Sequence, residues 1–193
     1  MPPDRITLRQ WRDDDLDPYA AMNADPVVME HFPRPLDRAE SAESMARQRA
    51  LIAERGWGLW VLDVNGAFAG FTGLAVPRFA APFMPCVEIG WRLRQAFWGR
   101  GLALAAAAAA LAHGFDRLHL AEIVSFTAAS NQRSRRLMER LGFARDAGGD
   151  FLHPSLPPES PLRPHVLYRK SRAAPAPVWP AGRLRPAVEI IPP

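Results

Sequence analysis

The sequence predicts a single α+β (or α/β) domain organised around one mixed β-sheet. Its 193 residues are 48% hydrophobic and 23% charged, which is typical of one globular domain with a substantial core. Segments with strand-like alternation and segments with helical character are interleaved along the chain. A strand–helix–strand crossover within residues 86–127 favours a parallel strand pair, while the dipeptide Asn65-Gly66 favours an antiparallel hairpin.

The N-terminal part of the chain predicts one strand followed by three helices. Residues 6–11 alternate between apolar and polar side chains, as in a half-buried strand. Three aspartates at positions 13–15 provide N-capping carboxylates for a helix over residues 16–22. We expect Asp25-Pro26 to open a second short helix, because proline suits the first helical turn. A longer helix is predicted over residues 38–54.

The middle of the chain predicts a hairpin and then the crossover. Strands over residues 58–64 and 68–74 flank the Asn65-Gly66 turn. A loop rich in proline and phenylalanine follows at residues 77–85. The next strand covers residues 86–93, and an alanine-rich helix begins at Leu102 and ends near residue 116.

The last predicted elements alternate between strand and helix. They are a strand over residues 122–127, a helix over 131–141, a strand over 143–150 and a strand over 166–171, with a proline-dense loop before the final strand. We therefore place the domain at residues 1–172.

Residues 173–193 form a proline-rich C-terminal tail. Six prolines in this segment predict that it contains no regular element. Apolar residues such as Trp179 and Ile190 are unusual in a solvated tail. We therefore expect the tail to dock on its own domain or on a second subunit.

Composition excludes several classes of protein. The single cysteine, Cys86, forbids an internal disulfide and fits a reducing cytoplasm. The net charge of +4 is modest, and basic residues are not interleaved with aromatic ones, so nucleic-acid binding is not expected. No apolar run suits a bilayer span or a signal peptide, and no Cys/His cluster predicts a metal site.

The run Trp98-Gly99-Arg100-Gly101-Leu102-Ala103 is the most informative motif. It joins a predicted strand to a predicted helix through two glycines. The first amides of a helix lack intrahelical acceptors, and glycine lets an anion approach the backbone closely. The turn therefore predicts a site for a phosphorylated ligand, although glycines are also common in plain strand–helix turns.

This run resembles the acetyl-CoA motif of the GCN5-related N-acetyltransferase (GNAT) superfamily, with Trp98 where glutamine or arginine is usual. The tryptophan form is familiar in the RimJ/RimL-like group. Three further blocks are similar to that group and extend the resemblance over about residues 5–172: the strand Val87–Leu93, the pair of segments Asn131–Ser134 and Leu141–Phe143, and the segment Asp25–Met29.

The resemblance implies a GNAT fold: a mixed, mostly antiparallel sheet of six to seven strands, a splayed central parallel pair, and helices on both faces. It implies that the backbone amides of residues 99–103 hold the CoA pyrophosphate. Trp91 and Leu93 would contact pantetheine through their main chain, and both also suit a core position. Asn131 would contact the pantetheine or sulfur region, and it also suits the role of helix N-cap.

Two side chains are candidates for the chemistry. Glu88 lies on the central strand among apolar neighbours, which would raise its pKa toward that of a general base for an amine. A structural carboxylate paired with an arginine is the alternative. Ser134 stands where relatives have a serine proposed to protonate the leaving thiolate, and it also suits a first-turn position. Met138 occupies the place at which many relatives carry a tyrosine acid.

The sequence-level hypothesis is an N-acetyltransferase that moves acetyl from acetyl-CoA directly to an amine. The acceptor would be a small-molecule amine or a protein N-terminus, and the protein a monomer or homodimer without a membrane partner. The alternative is a non-catalytic acyl-CoA-binding or regulatory module, since the tyrosine is missing. Cys86 as a covalent nucleophile is remote, because no histidine lies near it in sequence.

Overall fold

The computed structural model describes residues 4–180 and 186–192. These residues form one sheet of eight strands with helices packed on it. The elements in chain order are β1 (Ile6–Arg9), α1 (Leu16–Ala24), α2 (Arg38–Arg55), β2 (Leu59–Val64), β3 (Ala67–Ala75), β4 (Glu88–Leu93), α3 (Leu102–Asp116), β5 (Glu122–Ala128), α4 (Gln132–Arg140), β6 (Ala144–Leu152), β7 (Pro164–Ser171) and β8 (Val188–Ile190).

The sheet is mostly antiparallel. Its strand order is β6-β7-β5-β4-β3-β2-β1-β8, and only the pairs β4/β5 and β1/β8 are parallel among the described strands. The expected mixed, mostly antiparallel sheet is confirmed. It has one strand more than the six to seven expected, and the additional strand is β8, which lies in the tail.

The expectation that residues 173–193 contain no regular element is wrong at β8. Residues 188–190 fall in a stretch without proline, so each keeps its backbone donor. They pair in parallel with Ile6, Thr7 and Leu8 at the edge of the sheet, and the amide of Ile191 donates to the carbonyl of Leu8 at 2.8 Å. The open edge of β1 supplied acceptors that local sequence rules do not consider.

The expectation of a short helix at Asp25-Pro26 is wrong as well. The chain forms successive turns between residues 26 and 31 instead. The Asp25 carboxylate accepts from the amide of Val27 at 2.8 Å, so it caps a turn of its own rather than a helix.

Local capping and packing explain the long helices. The Asp37 carboxylate accepts from the amide of Glu40, the Glu40 carboxylate accepts from the amide of Asp37, and Gly56 ends α2 in the left-handed conformation. In α3 a tract of small residues, 105–108, is buried and allows the helix to approach the sheet closely.

Helices cover both faces of the sheet, as expected. Adjacent residues of a strand point to opposite faces, which Phe71 and Thr72 illustrate in β3. The Phe71 ring packs on Tyr19 of α1 at 6.1 Å, whereas Trp60, the strand partner of Thr72, packs on His113 of α3 at 5.2 Å. Thus α1 lies on one face with α2, and α3 lies on the other with α4.

The central parallel pair is splayed, as expected. Strands β4 and β5 are in register only at Glu88 and Val124. The Val124 amide donates to the carbonyl of Val87 at 2.9 Å. The next carbonyl that points toward β5 is that of Ile89, and it accepts from the Ser125 hydroxyl at 3.0 Å instead of from a backbone amide. A side chain bridges the strands where the backbones no longer meet, and beyond it the gap is open.

Candidate functional site

A groove of about 1620 Å³ opens where β4 and β5 diverge. It reaches from the first turn of α3 to the loops that follow β3 and β6. All but one of the predicted site residues line it: Glu88, Trp91, Leu93, Trp98, Gly99, Gly101, Leu102, Ala103, Asn131 and Ser134. The structure thus brings together residues from β4, the glycine turn, α3 and α4.

The exception is Arg100. Its guanidinium pairs with the Asp4 carboxylate at 2.9 Å and turns away from the groove. Only the backbone of Arg100 remains as a possible contributor to the turn, which is the role that the sequence motif assigns to it.

The glycine turn has the geometry of an anion cradle. Gly99 and Gly101 have φ angles of 73° and 81°, in the left-handed region that favours glycine. A Cβ on Gly99 would meet no atom within 4 Å, so the space above the turn is open. Gly101 caps α3 without a side-chain acceptor, and the first turn of α3 carries no acidic residue. The amides of this turn are therefore suited to a phosphate group.

Trp98 stiffens the approach to this turn. Its indole nitrogen donates to the carbonyl of Leu93 at 2.8 Å, which ties the turn back to the end of β4. The Arg133 guanidinium lies over the Trp98 ring, 4.5 Å from its centroid. The unusual tryptophan of the motif thereby places a cation of α4 beside the glycine turn.

The edge of β4 presents its backbone to the gap. Backbone groups alternate in direction along a strand, and those of Val87 and Ile89 point to β5. The groups of Trp91, two residues further, therefore point into the open gap. The carbonyl of Leu93 is already engaged by Trp98, so Trp91 is the better placed of the two for pantetheine.

Glu88 stands at the point of divergence, on the face that carries α1 and α2. Its carboxylate has no hydrogen bond or ion pair with any residue in the described part of the chain, so the alternative of an arginine-paired structural carboxylate does not apply there. Burial raises the pKa of Glu88 to about 7. A carboxyl group with this pKa is half ionised near neutral pH and can accept a proton.

Asn131 and Ser134 open α4 at the far side of the gap. The Asn131 side-chain oxygen accepts from the Ser134 amide at 3.1 Å, and its nitrogen donates to the Thr127 hydroxyl at 3.0 Å. Asn131 is therefore the N-cap, with both ends of its amide engaged. The Ser134 hydroxyl has no partner among the described residues and lines the groove.

The described groove contains no tyrosine. Tyr168 is buried and donates its hydroxyl proton to Glu139, while Tyr19 bonds to Ser44 near α2. Met138, at the position of the family's tyrosine, is 1% exposed and belongs to the core.

Sequence analysis missed Arg92. Its guanidinium donates to the side-chain oxygen of buried Asn23 at 2.7 Å and lies 3.8 Å from the centroid of the Phe32 ring. Burial lowers the pKa of Arg92 to about 10. Its spacing of four residues from Glu88, on the same face of β4, is the signal that could have identified it.

The comparisons with known proteins agree with this geometry. Residues 5–144 match the family described as the acetyltransferase (GNAT) domain. The chain belongs to this family. FsC-acetyl coenzyme A-N(2)-transacetylase of Aspergillus fumigatus is 31% identical over 128 residues, which cover 63% of this chain and 54% of that protein. The chain thus spans about half the length of this curated relative.

Two solved structures show the same fold. An acetyltransferase from Agrobacterium tumefaciens is 26% identical with a TM-score of 0.69, covering 89% of this chain and 94% of that one. RimJ of Mycobacterium smegmatis, solved with a CoA-disulfide, is 21% identical with a TM-score of 0.67, covering 89% and 86%. The GNAT fold expected from the sequence is confirmed.

Membership of this family confirms the predicted enzyme class, which is an acetyl-CoA-dependent acyltransferase. The open glycine turn, the uncapped amides of α3 and the splayed strands fit a CoA thioester laid along the groove. None of the helices in residues 4–180 and 186–192 combines the length and apolar character needed to traverse a bilayer.

Proposed function

We propose that this GNAT domain transfers the acetyl group of acetyl-CoA directly to an amine, with Glu88 as the general base. The observation that carries the proposal is a half-buried, unpaired carboxylate whose pKa is raised to about 7, facing the groove where β4 and β5 separate. An amine at this point would be next to a base whose ionisation matches neutral pH.

The phosphate end of the groove supports the direction of binding. Amides of residues 99–103 and the Arg133 guanidinium would hold the pyrophosphate, and the main chain of Trp91 would hold pantetheine in the gap. Acetyl-CoA, when bound, supplies the thioester carbon that the nitrogen attacks.

Glu88 accounts for the proton of the acceptor. An amine is mostly protonated at neutral pH, and only its neutral form is nucleophilic. Glu88 would accept the first proton, directly or through a water molecule, and so give the neutral amine. As the C–N bond forms and the C–S bond breaks, the nitrogen loses a second proton, and the departing thiolate takes up one proton. The reaction then needs no acyl-enzyme, and Cys86 has no part in it.

Ser134 is our proposed donor to the departing sulfur. Its hydroxyl lines the groove and lacks a protein partner in the described structure. The departing thiolate is a weak base, so this donation, in which the hydroxyl recovers a proton from the attacking nitrogen, would contribute less than Glu88 does. The serine would act in place of the tyrosine that Met138 replaces.

The absence of a groove-lining tyrosine among the described residues also favours a second candidate, a regulatory acyl-CoA-binding module. Release of free CoA thiol, measured with acetyl-CoA and a panel of small amines and N-terminal peptides, separates the two. Amine-dependent thiol release with an acetylated product supports the enzyme. Tight acetyl-CoA binding without amine-dependent release would support the module.

The remaining proposals concern the acceptor, the oligomeric state and the C-terminal tail. An amine on a small molecule or a protein N-terminus is the expected partner, and the oligomeric state is that of a monomer or homodimer. We also propose that the tail belongs to the domain, because β8 extends the sheet and Val178 donates its amide to the carbonyl of Arg140 at 2.7 Å.

A further inference from the structure

A cluster of six ring side chains lies beside Glu88 on the same face of the sheet. We call it the aromatic cluster: Phe79, Phe83, Phe126, Phe151, His153 and His165. On this face α1 and α2 pack over β2 and β3, while over β5, β6 and β7 the loop of residues 76–87 takes their place. The cluster fills the space under that loop.

The strand register places the cluster next to the proposed base. Val124 is the partner of Glu88, and Phe126 lies two residues further along β5, on the same face. His165 of β7 is paired with both Ala128 and Phe151, so these side chains also share that face. Phe126 is thus about 7 Å along the strand from the level of Glu88.

The rings are in direct contact. Ring centroids are 5.6 Å apart between Phe79 and Phe126, 4.6 Å between Phe79 and His153, and 4.9 Å between His153 and His165. Burial lowers the pKa of both histidines, so the cluster is uncharged at neutral pH.

Only part of the cluster faces the groove. Phe79, Phe126, His153 and His165 line it, whereas Phe83 and Phe151 support them from behind. All six are half-buried, and none of the four phenylalanines belongs to the main core of the described residues. The aromatic wall is therefore open toward the point at which the acceptor nitrogen would react.

We propose that the four groove-lining rings of the aromatic cluster bind the ring of the acceptor, so that the substrate is a small arylalkylamine; the inference rests on the proposed N-acetyltransferase function. A neutral wall of phenylalanine and histidine faces offers edge-to-face and stacking contacts to a ring and no partner to a second charge. A linker of about two or three carbon atoms between the nitrogen and the ring spans the distance from Glu88 to the wall.

The inference is tested by comparing acceptors on the full chain. Acetyl transfer is measured with 2-phenylethylamine, n-butylamine, putrescine and a peptide with a free N-terminal phenylalanine. We expect kcat/KM for 2-phenylethylamine to exceed that of n-butylamine at least ten-fold. Phe126→Ala is expected to reduce this preference to below three-fold, mainly by raising KM for 2-phenylethylamine.

Two further variants separate ring binding from folding. Phe126→Leu retains apolar bulk and is expected to lose most of the preference while keeping the thermal midpoint within a few degrees of the parent. Phe83→Leu makes the same change behind the wall and is expected to keep the preference.

The possible failures are distinct. Equal turnover of n-butylamine and 2-phenylethylamine, a preference for putrescine or the peptide, or an equal loss in Phe83→Leu and Phe126→Leu would overturn the aromatic subsite and leave the N-acetyltransferase intact. Transfer to none of the four acceptors, with acetyl-CoA still bound, would overturn the proposed function and this inference with it.

Discussion

Replacing Glu88 by glutamine tests the proposed base through both activity and stability. The substitution keeps the size and shape of the side chain but removes the ionisable group. It leaves the glycine turn and α3 untouched, so affinity for acetyl-CoA is expected to stay within about two-fold of the parent, less than 0.5 kcal/mol.

The structure gives the size of the stability effect. Burial raises the pKa of Glu88 from an ordinary value of 4.5 to about 7, which corresponds to about 3 kcal/mol in favour of the protonated form. The folded protein binds this proton more tightly than the unfolded chain, so the parent loses stability as pH rises from 4.5 to 7. Between pH 5 and pH 8 the loss amounts to about 2–3 kcal/mol, and the glutamine variant lacks it.

Urea denaturation at pH 5 and pH 8 measures this difference. From pH 5 to pH 8 the free energy of unfolding of the variant is expected to rise by about 2–3 kcal/mol relative to that of the parent. Glu43→Gln on the surface of α2, where the carboxylate side chain is 76% exposed, serves as the control and is expected to show no such gain. An identical pH dependence in the parent and in Glu88→Gln would refute the assigned burial of the carboxylate.

The activity of the same variant tests the mechanism. In the parent kcat/KM is expected to rise through pH 7 as Glu88 ionises. Glutamine removes this limb and lowers kcat about 100-fold or more, because general bases contribute about 10²–10⁴-fold. A variant that turns over at the parental rate would remove Glu88 from the chemistry.

Three other outcomes are expected. Gly101→Val introduces a side chain at a φ of 81° and is expected to lower the free energy of unfolding by about 1–2 kcal/mol. It is also expected to weaken CoA binding at least ten-fold, measured by calorimetry. The control Gly66→Val, at a φ of 83° in the distant hairpin, is expected to lower stability by a similar amount and to leave CoA affinity unchanged. Cys86→Ala is expected to keep full activity, because burial raises the thiol pKa to about 11 and leaves little thiolate; a loss above ten-fold would contradict direct transfer. Deleting residues 186–193 removes β8 and is expected to cost about 2 kcal/mol in urea denaturation, whereas deleting the last two prolines costs nothing measurable.

The local elements were predictable because their causes are local. Alternation along β4, the Asn65-Gly66 turn and the cap at Asp37 act over a few residues. The same is true of the glycine turn, whose backbone geometry follows from Gly99 and Gly101. These features led from the sequence to the fold and to the glycine turn at one end of the groove.

One error arose from a distant segment and the other from a local competition. Residues 188–190 form a strand only because the edge of β1 is open to them. Asp25 forms a turn rather than a helix start because its carboxylate accepts from the amide of Val27, a local competition that the helix rules did not weigh. The pairing of residues 188–190 with β1, in contrast, cannot be inferred from that segment alone.

The sequence by itself determined most of the elements, the glycine turn and the choice of Glu88 as the candidate base, because periodicity, caps and motif residues are properties of neighbouring positions. The tertiary structure alone decided that this carboxylate is half-buried without a partner among the described residues, and it alone assembled the aromatic cluster from two loops and three strands. Burial and cross-strand contacts depend on which distant segments meet, and pairing across a sheet is not encoded at any one position.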